Sequence, residues 1–327
     1  MTKKLLVGTD AGLLVMEKEN GAWVKSAESL EGKWVQKLEI DASGRLYAGV
    51  TKDGVYWTDS AGGPWTQGLE GDIRGLGVSP HKPGTVFAGT EPAAVFRSRD
   101  GGENWAEMKA VKELPSYPTW SFPAPPYVSH VRTFDFVADE PDTVFAGVEV
   151  GGLIRSRDGG ETWESYGDGI YEDIHYILSH PSDSRVMYST TGDGFYRSMD
   201  GARNWEHLQD GMDNFYTHPI IFDSRDPGLL YVGAAADNPG TFGGPGGALA
   251  RIYRSRNAGS TWERLGNGLP DRLHGMVRGL ASDPEASGSV YAGTTDGELF
   301  ASEDSGDSWE LIASGLPAVW VIRIPGN

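Results

Sequence analysis

A tryptophan closes the pattern Ser-x-Asp/Asn-x-Gly-x-x-Trp, or a one-step variant of it, at five places along this 327-residue chain. The copies are Ser98–Trp105, Ser156–Trp163, Ser198–Trp205, Ser255–Trp262 and Ser302–Trp309, and two degenerate copies end at Trp23 and Trp65. A short pattern returning at this period marks one supersecondary unit stacked many times. No unit so small can bury its apolar face alone, so neighbours must cover one another.

Each copy sits in a longer unit of four short apolar or alternating runs separated by Gly, Pro and Asp turns. One unit reads Ile73–Pro80, Thr85–Thr90, Ala94–Ser98 and then the pattern itself. Period-two runs of this length are β-strands, here named A to D in order, and no helical period interrupts them. The same pieces return at Val131–Val137, Thr143–Val148, Leu153–Ser156 and Thr162–Ser165, and in units centred on Tyr188, Tyr231 and Tyr291. The first unit lacks strand A, and Val319–Ile324 at the other end of the chain supplies one. A sheet shared by both chain ends closes a ring and removes exposed edges. The expectation is an all-β fold: one seven-bladed β-propeller of four-stranded blades spanning 1–327, closed by the N-terminal strands plus the C-terminal strand.

Composition narrows the partners. With 39% hydrophobic and 23% charged residues the chain can bury a large core, and its net charge of −18 argues against DNA or RNA. Cysteine is absent, which excludes disulfides and thiolate metal sites. The start, Met1 to Val7, is interrupted by Gly8, Thr9 and Asp10 before it reaches signal-peptide length, and no run is long enough to span a membrane. These features predict a cytoplasmic protein.

The tandem Ser-x-Asp-x-Gly-x-x-Trp boxes resemble the BNR or Asp-box repeats of sialidases, xyloglucanase-type glycosidases, sortilin-like receptors and photosystem II assembly factors. The resemblance covers nearly the whole chain. It implies that each box forms the C–D turn on the face away from the substrate, with Ser and Asp bonding turn backbone and Trp packing between blades. It does not fix an activity, because one fold hosts many functions.

Successive tryptophans from Trp65 are spaced 40, 58, 42, 57 and 47 residues, so two intervals carry insertions. One covers 109–129 and holds Tyr117, Trp120, Phe122 and Tyr127. The other covers 234–250 and holds the glycine-rich run from Gly240 to Gly247. These D–A and B–C connections are expected on one face, opposite the boxes, where long excursions carry function. The glycine run is followed by neither a helix nor Lys-Ser/Thr, so it is read as a flap and not a phosphate loop.

Aligning the A strands on the Asp-Pro-like step that ends them puts Arg74, Arg132, His175, His218 and Arg278 at one register position, with Gln36 and Trp320 in the other two units. His130 and His274 lie in the entering loops, so four histidines and three arginines are expected at one opening. Tyr171, Glu172, Asp173, Asp213, Asn214 and Tyr216 are in neighbouring loops, whereas His81, His180 and His207 fall on turns or outer strands. Arginines here also brace neighbouring blades in propellers, and that reading stays open.

Two chemistries fit. His130, His175, His218 and His274 can ligate a divalent transition metal. Alternatively His130 and His274, with Tyr171 and Glu172, act as acid and base, while Arg74, Arg132 and Arg278 bind an anion and Trp120, Tyr127 and Tyr216 line the substrate. The second arrangement is similar to propeller-fold polysaccharide lyases. Sialidases use three arginines with a Tyr–Glu pair and an Arg-Ile-Pro motif, which this chain carries only at Arg323–Pro325, in the closing strand. The leading expectation is a hydrolase or lyase acting on a small anionic or sugar-acid substrate. The alternatives are a non-catalytic propeller binding a protein or peptide, and a glycosidase using carboxylates such as Glu172, Asp173 and Asp213.

Overall fold

The computed structural model describes residues 3–326, so Met1, Thr2 and Asn327 lie outside the described residues. Twenty-seven strands and three short 3-10 segments make up its regular structure. The chain divides into two compact units. One runs through Gln36, takes in Gly192–Phe195 and resumes from Leu208 onward; the other comprises Lys37–Thr191 and Tyr196–His207.

In the first unit, Val319–Arg323 pairs antiparallel with Lys4–Thr9, which continues into Gly12–Glu19 and Ala22–Ser29. Leu6 faces Arg323 and Val7 faces Ile322, so the two chain ends share a sheet as expected. Two further four-stranded antiparallel sheets begin at Tyr216–Phe222 and Val277–Ser282. The second unit carries a four-stranded sheet beginning at His130–Phe136 and the strands Ile174–Ser179 and Met187–Thr191. It also contains a seven-stranded sheet where two separate sheets were expected. No turn-forming insertion separates strand D from the next strand A there, so Thr66–Val78 serves as both. Gly71, at φ +145°, takes the changeover in a conformation that side chains disfavour.

Sheet stacking depends on glycine in strand B. A Cβ at Gly89 would lie 2.3 Å from the Val131 carbonyl oxygen, and one at Gly147 would lie 2.6 Å from Ile174 Cγ2. Each glycine therefore lets its strand press against strand A of the following sheet. Aromatics beside them in sequence, Phe87 and Phe145, are buried along with Tyr47 and Tyr188. Between the sheets these rings remove apolar area from water at about 25 cal/mol per Å².

The boxes behave as local turns. Ser98 Oγ accepts from Gly102 N at 2.9 Å and donates to Asp100 Oδ1 at 2.8 Å, while Asp100 Oδ1 accepts from Asn104 N at 2.9 Å. The same serine and Asp/Asn bonds recur in the other four copies. In four of the five, the Trp Nε1 also donates to the carbonyl three residues back. All these partners lie within four residues, so the turn is written locally.

Of the 109–129 insertion, Lys109–Glu113 and Tyr117–Thr119 form 3-10 turns, Val111 and Leu114 are buried, and Tyr117 Oη donates to the Ala93 carbonyl at 3.0 Å. The 234–250 segment leaves the strand Leu230–Ala235, forms the 3-10 turn Pro239–Thr241 and further turns through Gly247, and then Ala248 N reaches the His274 carbonyl at 2.7 Å.

Candidate functional site

Six of the A strands bulge at the position singled out by the sequence alignment. In the second unit the ladder skips from Ile73 to Gly75, from Val131 to Thr133 and from Ile174 to Tyr176, leaving Arg74, Arg132 and His175 as extra residues. In the first unit the extra residues are Arg278, Trp320, and His218 with Pro219. A bulge breaks pairing and re-aims one side chain. The shared register is thus a shared backbone irregularity.

In the second unit these side chains meet Asp173, named from the sequence, and three carboxylates that the sequence reading had passed over, Asp72, Glu91 and Glu149. Glu149 stands opposite His130 in the ladder, and Glu91 stands opposite Asp72. His130 Nε2 lies 2.8 Å from Glu149 Oε2 and its Nδ1 lies 3.2 Å from Glu91 Oε2. Arg132 Nη1 donates to the same Glu149 oxygen. Arg74 reaches Asp72 at 3.1 Å and Glu91 at 3.2 Å. His175, fully buried, places Nε2 3.5 Å from Asp173 Oδ1. Phe122 from the insertion covers His130, with ring centroids 5.2 Å apart.

Burial opposes charge on His130, but the charge of Glu149, the hydrogen bond to it and the Glu91 carboxylate 3.2 Å away outweigh it and raise its pKa above the ordinary histidine value. For Glu149, burial acts first to raise the pKa. The charges of Arg132 and His130 reverse that and hold it well below the carboxylate range. Its bond to His130, then Arg74, likewise lowers Glu91.

The arginines therefore do not form the open anion clamp anticipated from sequence. Asp72, Glu91, Glu149 and Asp173 outnumber Arg74, Arg132 and a protonated His130, so the cluster has no positive surplus. Glu172 stands apart from it: its carbonyl accepts from Gly152 N at 3.0 Å, and the residue lines a cleft of about 580 Å³ with Ser116, Tyr166, Asp168 and Arg203. Tyr171 and Tyr127 are exposed, at 43% and 64%. Trp120 packs on Tyr117 in a tilted arrangement, with centroids 4.9 Å apart.

In the first unit, Arg278 donates to the His218 ring and lies over Trp320, 5.1 Å from its centroid. Accepting that bond requires a neutral imidazole. Tyr216 sits 5.7 Å from His218 and is also edge-on to Phe242 of the glycine-rich segment. Asp213 is bound by Arg251 and Tyr253, not poised as a free carboxylate. His274 corrects the four-histidine expectation. Its side chain is 64% exposed, and its charged neighbours are Asp296, at 3.7 Å, and Glu298. The loop after Leu273 bonds the 234–250 segment through backbone, which leaves the ring facing solvent. A sequence signal for the missed acids did exist: Phe-Ala-Gly-x-Glu occurs in two consecutive strands B, at Phe87–Glu91 and Phe145–Glu149.

No protein-family model matches this chain, and no curated protein matches it in sequence. Solved structures do. The Niastella koreensis GH74 enzyme superposes with a TM-score of 0.67 at 18% identity, over 94% of this chain and 46% of its own. The GH74 xyloglucanase from Xanthomonas campestris gives 0.64 at 17% identity, over 85% and 45%. YCF48 bound to D1 peptide gives 0.58 at 17%, over 85% and 80%. The likeness is to β-propellers and shows that fold, and the chain spans less than half the length of these GH74 chains. No helix among the described residues is long and apolar enough to cross a membrane.

Proposed function

We propose that this chain is a seven-bladed propeller hydrolase acting on a neutral, carbohydrate-derived molecule, with its chemistry in the His130 cluster. The blade count rests on seven four-strand groups, two of them joined through Thr66–Val78 and one made from both chain ends. The activity rests on one observation: His130 is clamped between two acids, Glu91 and Glu149, in a nearly solvent-free setting. Burying so many charges is poor design for stability alone, since an apolar cluster of equal volume is often as stable. His130 would pass a proton to a leaving oxygen, with Glu91 accepting one from water. Internal neutralisation of Arg74 and Arg132 favours hydrolysis of a neutral glycoside over β-elimination of a uronate. The likeness to GH74 enzymes fits that class.

The protein-binding alternative draws on exposed Tyr127 and Tyr171 and on the likeness over 80% of the YCF48 chain solved with D1 peptide. A panel of neutral oligosaccharides, assayed with wild type, His130→Gln and Tyr127→Ala, separates the two. The hydrolase reading expects turnover that falls at least about 100-fold in His130→Gln while circular dichroism is unchanged. An absence of turnover on every glycan, with a peptide bound through Tyr127, would replace it.

A further inference from the structure

We propose a divalent transition-metal site formed by Glu149, Asp173 and His175. One ligand atom from each lies within 4.8 Å of the others. His175 Nε2 and Asp173 Oδ1 are 3.5 Å apart, long for a hydrogen bond. Two ligands about 2.1 Å from a shared tetrahedral ion stand about 3.4 Å from each other, so the gap has the span of a shared ion. Asp173 Oδ1 is buried and accepts no hydrogen bond among the described residues, a costly arrangement that a cation relieves. Glu149 spends Oε2 on both His130 and Arg132, and one of its carboxylate oxygens lies within the 4.8 Å grouping with Asp173 and His175.

Charge supports a cation as well. Without one, the surrounding cluster carries more carboxylates than guanidinium and imidazolium groups. One imidazole and two carboxylates form a borderline-hard set suited to Zn²⁺ or Mn²⁺. Of the four histidines singled out from sequence, His175 alone belongs to this set. His130 is committed to two acids, and His274 is exposed. The site does not rest on the hydrolase reading, because metal uptake needs no substrate.

The test is calorimetric titration of the full chain, without a histidine tag, with ZnCl₂ and MnCl₂. It is paired with elemental analysis and the visible spectrum of the Co²⁺-loaded protein. The wild type should take up one equivalent, and Asp173→Asn and His175→Gln should each weaken it at least about 100-fold and abolish the Co²⁺ bands. His274→Gln should change nothing. Asp173 is partly exposed, so its variant, checked by thermal melt, should fold even if His175→Gln does not. No uptake by the wild type, or uptake lost only in His274→Gln, overturns the site. Turnover without metal uptake removes this inference alone, and metal uptake without turnover removes the hydrolase alone.

Discussion

Replacing Glu149 by Gln changes one oxygen to an amide and leaves the volume nearly constant, so its cost measures charge. The side chain is 5% exposed and faces His130 and Arg132, themselves 4% and 11% exposed. Removing one member of a buried pair strands its partners, and the expected loss is about 3–5 kcal/mol. The loss should depend on pH, with a definite sign. The folded pKa of His130 is raised, so its contribution is fully present below the unfolded value of about 6.5 and disappears as pH rises through the folded value. Glu149 itself acts in the opposite window: its lowered pKa stabilises the fold above about 4.3 and is lost as pH falls through the folded value. Glu149→Gln should therefore cost most near pH 6, and less at pH 9 to the extent that His130 has lost its proton there, with Arg132 left stranded at both. Equilibrium urea unfolding at both pH values reads this directly, provided the m-value is unchanged. Combining Glu149→Gln with Arg132→Met should recover part of the loss. A cost below about 1 kcal/mol at both pH values would refute the view that the cluster is electrostatically tight.

Asp135 offers a contrast: burial pushes its carboxyl up to about 7, against its bonds from Ser179, whose N donates at 3.0 Å. The group then favours folding at low pH, and that contribution fades between about 3.9 and 7, so Asp135→Asn should stabilise at pH 8 by about 1–2 kcal/mol, measured by urea unfolding. Ser98→Ala removes the acceptor of Gly102 N and a donor to Asp100, and should lower stability by about 1–3 kcal/mol without altering the far-ultraviolet spectrum. Gly147→Val drives a side chain into Ile174 and Thr133 and should cost about 3 kcal/mol or more, seen as a lowered thermal midpoint. Tyr127→Ala, at an exposed ring, should leave that midpoint within about 1 °C of wild type.

The strands, the box turns and the sheet shared by the two chain ends were legible because their causes are local or periodic. A serine bonding four residues ahead recurs wherever the motif recurs, and a glycine holds one position in six of the seven B strands, Met187–Thr191 being the exception. The rim register was legible too, since the same offset from the Asp-Pro-like step places Arg74, Arg132, His175 and Arg278 on bulges. Their partners were another matter. Glu91 and Glu149 were visible as Phe-Ala-Gly-x-Glu, yet nothing in that string says that both acids reach the same imidazole. His274 misled for the converse reason: closeness to strand A in sequence does not set where a loop turns its ring.

By itself, then, the sequence determined the strand period, the turns and the irregular backbone position that aims residues out of the ladder. Only tertiary structure decided which charges meet. His130 touches Glu91 because two different sheets pack within the width of a glycine, and a carboxylate 3.2 Å from an imidazole is a different chemical group from one left in water.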